Sequence, residues 1–259
     1  MTATRSLPVS GTRLLFREAT GGDELVLLDN GRPPTETMLA LVSRVATGPR
    51  DREIPWLELP AVDLSAAALL IRAAWLGGRI ITDATCLAAG CGERIDVAFR
   101  ISDFLAHHRP RRFRGLTDGE GGWLGLAGTE VSFRIPTIGD LLMSAREPDG
   151  AGWLNERCIR PGGAPGAVVR RIDRALGVIA PRLDGDVGGR CPACGRAVEL
   201  FFEPLTYVLA ELRGASAGLY GEVHELALAY HWPERAILAL SRARRQRYVE
   251  KVRGELALA

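Results

Sequence analysis

Five cysteines are the residues of this chain whose types and spacing could do chemistry. Cys191 and Cys194 stand in the sequence Cys-Pro-Ala-Cys-Gly, a zinc-knuckle pattern in which the glycine tightens the turn so that backbone amides face the sulfurs. Cys86 and Cys91 form a looser pair with four residues between them. Together the two pairs would supply the four thiolates that zinc prefers in a closed structural site. Cys158 is left over, and we expect it to be a small buried hydrophobic residue.

An internal repeat relates the two cysteine pairs. Residues 91–99 and 194–202 both begin with Cys-Gly and continue as a strand of polar and apolar residues. A short apolar helix start follows each strand, at Phe104 and at Tyr207. The repeat predicts two similar hairpins that pack together, so that half-sites far apart in the chain share one structural zinc ion. The alternative is that both knuckle turns form with reduced cysteines and no metal.

The histidines do not form a recognisable active site. The pair His224-Glu225 begins like the metal-binding helix of zinc proteases, but the pattern H-E-x-x-H requires a second histidine where this chain has Leu228. Neither a P-loop nor the glycine pattern of a dinucleotide-binding fold occurs. We therefore predict no catalytic residue and no enzymatic activity, with a hydrolase that uses His224 or His231 as the alternative.

Composition and charge narrow the function classes. The chain is 47% hydrophobic and 25% charged, which is ordinary for a globular protein. Its formal net charge of +2 gives no long-range field that would favour nucleic acid. The first residues lack the apolar segment of a signal peptide, and no apolar run reaches the roughly 20 residues of a membrane span. We expect a soluble protein that is cytoplasmic at synthesis and has no membrane contact.

The elements that must position the cysteines predict an α+β fold. It should combine mixed helices with short antiparallel hairpins, two knuckle-like half-sites and a helical C-terminal region. Residues 1–54 are expected to form an N-terminal arm with a hairpin and a helix. Residues 55–203 should form the α+β core that contains both cysteine knuckles. Residues 204–259 complete the chain as the C-terminal helical region.

Local patterns place individual elements within these regions. Two apolar runs, at residues 14–16 and 25–28, predict a hairpin or a loose arm. Asp63 is expected to cap the helix that follows it, and Thr137 to cap a later helix. Beyond the second knuckle, the apolar pattern predicts one long helix from Pro204 to about His231.

A basic helix is predicted near the C-terminus, from Arg242 to Val252. Its arginines could bind nucleic acid, as in a zinc-ribbon adaptor, but no aromatic interleaving or docking motif accompanies them. A solvated helix face, or one that pairs with an acidic partner surface, is the preferred interpretation. Nucleic acid is therefore not expected to be the main partner.

Short stretches of the chain form a recognisable set, at residues 71–72, 76–77, 91–94, 134–141, 154–159, 191–195, 222–232 and 237–248. Together they resemble the T4-like baseplate hub assembly chaperone family of phages and related contractile injection systems. The resemblance covers residues 55–253, and its most specific part runs from Val223 to Tyr248. This chain departs from the family pattern at the first knuckle, where Cys86-Leu-Ala-Ala-Gly-Cys91 replaces the Cys-Pro-x-Cys-Gly that the family has at both knuckles.

The resemblance implies a non-enzymatic role in building the baseplate of a contractile tail. The protein would act by binding hub, wedge or other tail proteins during assembly in the cytoplasm, and it could stay in the finished virion or injection particle. The C-terminal helices are the part expected to meet the partner. Their partner-binding residues are predicted to be His224, Tyr230, Trp232, Arg244, Arg245 and Tyr248.

Overall fold

Helices and short antiparallel sheets make up the fold, which confirms the α+β class. The computed structural model describes residues 5–29 and 31–256. The helices are α1 (Gly21–Leu28), α2 (Pro34–Val45), α3 (Ala61–Trp75), α4 (Ile101–His107), α5 (Ile138–Ser144), α6 (Gly150–Cys158), α7 (Gly166–Ile179), α8 (Pro204–Ser216), α9 (Leu219–Tyr230), α10 (Glu234–Leu238) and α11 (Arg242–Leu256).

The strands pair only with antiparallel neighbours in the described part of the chain. They are β1 (Arg5–Ser6), β2 (Arg13–Phe16), β3 (Ala46–Thr47), β4 (Arg79–Thr85), β5 (Arg94–Arg100), β6 (Leu116–Asp118), β7 (Leu124–Leu126), β8 (Ser132–Phe133), β9 (Ile159–Arg160), β10 (Gly185–Arg190) and β11 (Ala197–Phe202). Strands β1, β2 and β3 form one sheet in that order, and strands β6 to β9 form another. The hairpins β4–β5 and β10–β11 are separate two-stranded sheets, and they carry the cysteines.

Helix α3 is the centre of the main hydrophobic core. It is rich in alanine and leucine, and residues 66–69 are fully buried, as expected for a helix that is apolar on nearly all sides. Its buried Arg72 pairs with Glu211 of α8 at 2.8 Å and donates to the carbonyl oxygen of Arg79 at 2.6 Å. These bonds fix the start of β4, and hence the first cysteine hairpin, against α3 and α8.

The prediction that Asp63 caps α3 is wrong. The helix begins after Pro60, so Asp63 lies in its first turn. The buried carboxylate instead accepts hydrogen bonds from the backbone N–H groups of Val9 and Ser10, at 3.1 and 2.9 Å. Asp63 therefore ties the turn between β1 and β2 to the central helix.

The N-terminal region is not a loose arm. Residues 25–28 lie in α1 rather than in a strand, and β2 pairs with β1 and β3. Leu14, Phe16 and Met38 are buried in the same core as α3 and α8. The apolar run at 25–28 is short, so its sequence periodicity could not distinguish a buried helix from a strand.

The predicted long helix is two helices. Helix α8 ends at Ser216 and α9 begins at Leu219, with Gly218 at the start of the second helix. Helix α9 ends where His231 adopts a left-handed conformation, with φ of 54°. Helices α9, α10 and α11 then pack around a small core of their own, formed by Leu226, Ile237, Val249 and Val252.

A second repeat, which the sequence interpretation missed, caps α1 and α5. The pattern Arg-x-x-Thr-x-Gly-Asp occurs at residues 17–23 and again at residues 134–140. In the second copy, the expected cap Thr137 is confirmed, since its hydroxyl accepts from the backbone N–H of Asp140 at 3.2 Å. In both copies the aspartate accepts from the backbone N–H of the threonine at 2.9 Å.

The two capping aspartates also bind arginines in the same way. The guanidinium three residues before each threonine makes two bonds to the carboxylate, Arg17 to Asp23 and Arg134 to Asp140. A second arginine completes each group through its Nε atom, Arg44 at 3.1 Å from Asp23 and Arg157 at 2.9 Å from Asp140. Each buried carboxylate thus joins a loop, a helix start and a second helix.

These aspartates predict acid sensitivity of the fold. Burial acts to raise the pKa of Asp23, but the hydrogen bonds from Arg17 and Thr20 hold it at about 2, and the pKa of Asp140 is also lowered. In the unfolded chain an aspartate titrates near ~3.9. The stability that they contribute is therefore present above about pH 4 and is lost as the pH falls toward 2.

Urea unfolding of the wild type and of Asp23→Asn tests this prediction. Near pH 7 we expect the variant to be less stable by about 2 kcal/mol, because it keeps the shape of the side chain but loses the charge. The difference should shrink between pH 4 and 2 as the wild-type carboxylate takes up its proton. A difference that stays constant over this range would contradict the ion-pair origin of the stability.

Candidate metal centre

The four predicted metal ligands lie together. The sulfur atoms of Cys86, Cys91, Cys191 and Cys194 are all within 4.8 Å of one another. Two of the separations are 3.7 Å, from Cys86 to Cys194 and from Cys91 to Cys191. The structure thus places both knuckles around one point, where four thiolates could hold a metal ion.

Both knuckle turns are built in the same way. The backbone N–H of each first cysteine donates to the carbonyl oxygen two residues after its second cysteine, from Cys86 to Glu93 and from Cys191 to Arg196, each at 2.8 Å. The glycine after each second cysteine is left-handed, with φ of 65° at Gly92 and 71° at Gly195. A side chain at either position would be strained, which explains the shared Cys-Gly.

The longer spacing of the first knuckle is accommodated within its own turn. The N–H of Cys91 donates to the carbonyl oxygen of Ala88 at 2.9 Å, which closes an additional turn between the two cysteines. Gly90 in that turn is left-handed, with φ of 76°. Leu87 lies at the tip and is 94% exposed. Ala89 and Gly90 are exposed as well, while Ala88 packs against the cysteine cluster, and both sulfur atoms keep their places in it.

The two hairpins are related by an approximate twofold exchange. The repeat makes Cys86 equivalent to Cys191 and Cys91 equivalent to Cys194. Exchanging the repeats converts the Cys86–Cys194 pair into the Cys91–Cys191 pair, and both have the same 3.7 Å separation. A surface that pairs with its own equivalent in this way is the isologous arrangement of a symmetric dimer, here within one chain.

Equivalent aromatic residues extend this relation into the main core. Phe99 and Phe202 follow their second cysteines by the same number of residues, and their rings meet edge to face with centroids 5.2 Å apart. The next equivalent pair, Phe104 and Tyr207, contacts these rings from α4 and α8. The hairpins are thus joined at the cysteines and at the base of the strands.

The pKa values of the cluster thiols are shifted in opposite directions. Hydrogen bonding from the backbone N–H of Cys194 lowers the pKa of Cys191 to about 7, although burial acts against it. The N–H of Glu93 acts on Cys91 in the same sense, but the neighbouring Cys194 thiol, burial and Cys191 outweigh it and raise that pKa to about 12. Binding of a metal would release the protons that these thiols carry.

Cys158 lies outside the cluster, as predicted. Its side chain is buried at the end of α6, and burial raises the pKa of its thiol to about 11. Its sulfur is 3.9 Å from a carboxylate oxygen of Asp140. Cys158 is therefore a packed core side chain beside Asp140, the aspartate that caps α5.

The predicted partner-binding residues do not all lie at the surface. His224 and Arg244 are exposed on α9 and α11. The rings of Tyr230 and Trp232 instead stack on each other, and Tyr248 meets both edge to face, with centroids 4.9 to 6.0 Å apart; all three pack on the core of the C-terminal helices. Their first role is to hold α9 and α11 together.

Arg245 corrects the prediction of an exposed basic helix. Its side chain is 1% exposed and is bonded to Glu24 of α1 and Glu222 of α9, each at 2.5 Å. Arg245 therefore cannot contact a partner in this conformation. Arg245 lies on the buried side of α11 and faces two glutamates, whereas its neighbour Arg244 lies on the exposed side and faces solvent.

One sequence pattern with a known catalytic meaning proves to be structural. Residues 214–218 read Gly-Ala-Ser-Ala-Gly, which matches the G-x-S-x-G of serine hydrolases. That pattern works as a sharp turn from a strand into a helix, which exposes the serine. Here Ser216 is the last residue of α8 and is buried, so the pattern marks the break between α8 and α9.

The fold and the site define an α+β protein whose two repeated hairpins meet at a four-cysteine cluster. Among residues 5–29 and 31–256, no second group of three or more histidine, cysteine or acidic side chains lies close enough to hold a metal. No helix in the same part of the chain is long and apolar enough to cross a membrane. Comparison with protein-family models, with curated proteins and with solved structures returns no match.

Proposed function

We propose that the cysteine cluster holds one structural zinc ion. Zinc binds thiolates at about 2.3 Å, so the sulfurs of a tetrahedral site stand roughly 3.8 Å apart. The 3.7 Å separations across the two knuckles are close to this value. Four protein ligands leave no position for a substrate or a reactive water molecule, which makes the ion a clamp between the hairpins rather than a catalyst.

We further propose that the protein is a non-enzymatic assembly factor or component of the baseplate of a contractile tail or a related injection system. The single observation that carries this proposal is the compact helical unit formed by α9, α10 and α11. The most specific part of the resemblance to the baseplate hub assembly chaperone family falls within this unit. Its internal aromatic packing leaves His224 and Arg244 exposed, available for binding to a hub or wedge protein.

Binding of nucleic acid through α11 is the weaker alternative. Arg245 and Arg253 are bonded to glutamates of neighbouring helices, and Arg242 lies 3.9 Å from Glu24. The exposed basic residues that remain on this helix are Arg244, Arg247 and Lys251, and the last of these lies 4.0 Å from Glu255. Three charges on one helix face release few counterions, so they would support only weak, salt-sensitive binding.

Affinity capture from cells that produce the tail tests the proposed function. We expect the tagged wild-type protein to capture hub or wedge proteins, and the variant His224→Ala/Arg244→Glu to lose most of this capture at unchanged thermal stability. Arg50→Glu, which alters an exposed arginine in the turn after β3, is the matched control and should capture normally. Normal assembly of tails in the absence of the chain, with no tail protein captured, would overturn the proposal.

A further inference from the structure

Seven arginines form a basic surface that the C-terminal helices do not include. Four lie in the segment that follows α4, and three lie on α7. We call this surface the arginine patch. Its members are Arg109, Arg111, Arg112, Arg114, Arg170, Arg171 and Arg174.

The segment 109–115 is fixed along one side of α7. The backbone N–H of Arg111 donates to the carbonyl oxygen of Val178 at 2.9 Å. Further along, a Cβ atom on Gly115 would lie 3.5 Å from the guanidinium of Arg171. Between these points, the partly buried Phe113 packs against the small core that includes Ile172 of α7. The segment therefore runs antiparallel to the helix, which places its four arginines beside the helix that carries the other three.

The charge of the patch is concentrated and unpaired. Residues 107–115 and 166–179 contain these seven arginines and a single acid, Asp173, for a formal charge of +6 with neutral histidines. The whole chain carries only +2, so the remaining residues sum to −4. None of the seven arginines forms an ion pair within the described residues, although arginines elsewhere pair repeatedly with buried carboxylates.

The arginines of the segment are displayed on a rigid support. Arg109, Arg111, Arg112 and Arg114 are exposed, while the backbone bond at Arg111 and the partly buried ring of Phe113 hold the main chain between them. A partner would not need to order this segment on binding, which removes one of the main entropic costs of association. The guanidinium groups extend from this held backbone, and each has the geometry for two-pronged bonds with a carboxylate.

We propose that the arginine patch is a docking surface for an acidic protein surface. Complementary charge would steer such a partner to the patch and fix its orientation. Nucleic acid fits less well, because sequence-independent binding of a single strand uses exposed aromatic rings for stacking, and Phe113 of the segment packs inward. The remainder of the chain, with its formal charge of −4, would also repel a long polyanion that extends beyond the patch.

This inference does not rest on the proposed baseplate role. It concerns a second surface, built on α7 and the segment after α4, and it predicts the chemistry of whatever protein binds there. Capture of a tail protein could fail while the patch still binds acidic peptides, and the reverse could also occur. The two proposals can therefore be overturned separately.

Direct binding measurements on the full chain test the patch. The probes are a fluorescently labelled glutamate-rich peptide and a single-stranded DNA oligonucleotide of the same formal charge. At low salt we expect the wild-type protein to bind the peptide. The variant Arg111→Glu/Arg112→Glu should bind it with an affinity at least about tenfold lower. Arg244→Glu/Arg247→Glu is the matched control, because it reverses the same number of exposed charges on α11. This variant should bind the peptide like the wild type.

Three results would overturn the proposal. They are an absence of peptide binding at low salt, equal weakening by both double variants, and tighter binding of the oligonucleotide than of the peptide. The thermal midpoint of each variant is measured first, and Arg111→Gln/Arg112→Gln replaces the charge-reversal variant if that variant does not fold. Loss of binding that is specific to the patch, in a folded variant, supports the proposal.

Discussion

Replacing Cys191 and Cys194 with serine is expected to abolish metal binding and to destabilise the packing of the two cysteine hairpins by on the order of 5 kcal/mol. Purified wild-type protein should contain one zinc ion per chain. The variant should contain none, because a single knuckle offers only two thiolates. The expected effect is large because the metal links two hairpins that otherwise meet through a few apolar side chains, among them Ala84, Ile95 and Val198.

The loss of stability should be confined to the two cysteine hairpins, β4–β5 and β10–β11. The main core around α3 and α8 is built from side chains that do not touch the cysteines, so the rest of the fold should persist. Hydrogen exchange of backbone amides would therefore increase at residues 79–100 and 185–202 in the variant, and much less in α3. Metal content by elemental analysis and thermal unfolding with and without a chelator provide the two remaining readouts.

Cys158→Ser is the matched control for the loss of a thiol. Cys158 is also buried, but it lies beside Asp140 and away from the cluster. The control should retain its zinc and its sensitivity to chelators. If the wild type contains no metal and melts cooperatively at the same temperature as the double variant, the zinc proposal is wrong.

Arg245→Met is expected to destabilise the protein by about 3–5 kcal/mol, the range for removing one partner of a buried charge pair. Arg245 bonds to Glu24 and Glu222 with a side chain that is only 1% exposed. Burial raises the pKa of Glu24, and the positive charge of Arg245 acts against that rise. Without the guanidinium, the Glu24 carboxylate would be buried without a close cation or would have to take up a proton.

The neighbouring arginine provides the control for this prediction. Arg244→Met changes the same type of side chain one position away, but at the solvent-exposed surface, and should alter stability by less than about 0.5 kcal/mol. Urea unfolding of both variants gives the two free energies directly. Equal effects of the two substitutions would show that burial of Arg245 does not decide its contribution.

A combined variant separates loss of packing from loss of charge. Adding Glu24→Gln to Arg245→Met removes the uncompensated charge, and we expect it to recover part of the lost stability. The remaining loss would measure packing, which is tight here. A Cβ atom on Gly21 would lie 2.9 Å from the side chain of Leu238 and 3.0 Å from the guanidinium of Arg245.

Some of the architecture could be predicted from local sequence. The Cys-Gly repeat identified both knuckles and the strands that follow them, because a tight turn needs a left-handed glycine and a hairpin needs alternating side chains. Thr137 was predicted correctly as a cap, since its partner Asp140 is only three residues away. The same rule could have found the copy at Thr20 and Asp23, had the repeated Arg-x-x-Thr-x-Gly-Asp pattern been compared.

Other features depend on which elements meet, and no local pattern contains that information. The run at residues 25–28 is too short for its periodicity to separate a helix from a strand. Asp63 is suited to a cap, but it is engaged by backbone groups of residues 9 and 10 from another part of the chain. The patch of seven arginines exists only because the segment after α4 lies along α7.

The sequence by itself determined the chemistry of the site: four cysteines in two related turns, each turn shaped by a glycine that follows the second cysteine. It also determined the α+β class, because helix and hairpin signals depend on neighbouring residues. Only the tertiary structure decided that Cys86 lies against Cys194 and Cys91 against Cys191, and that Arg245 is buried while Arg244 is exposed. The physical reason is that these contacts join residues far apart in the chain, so they follow from how the helices and hairpins pack.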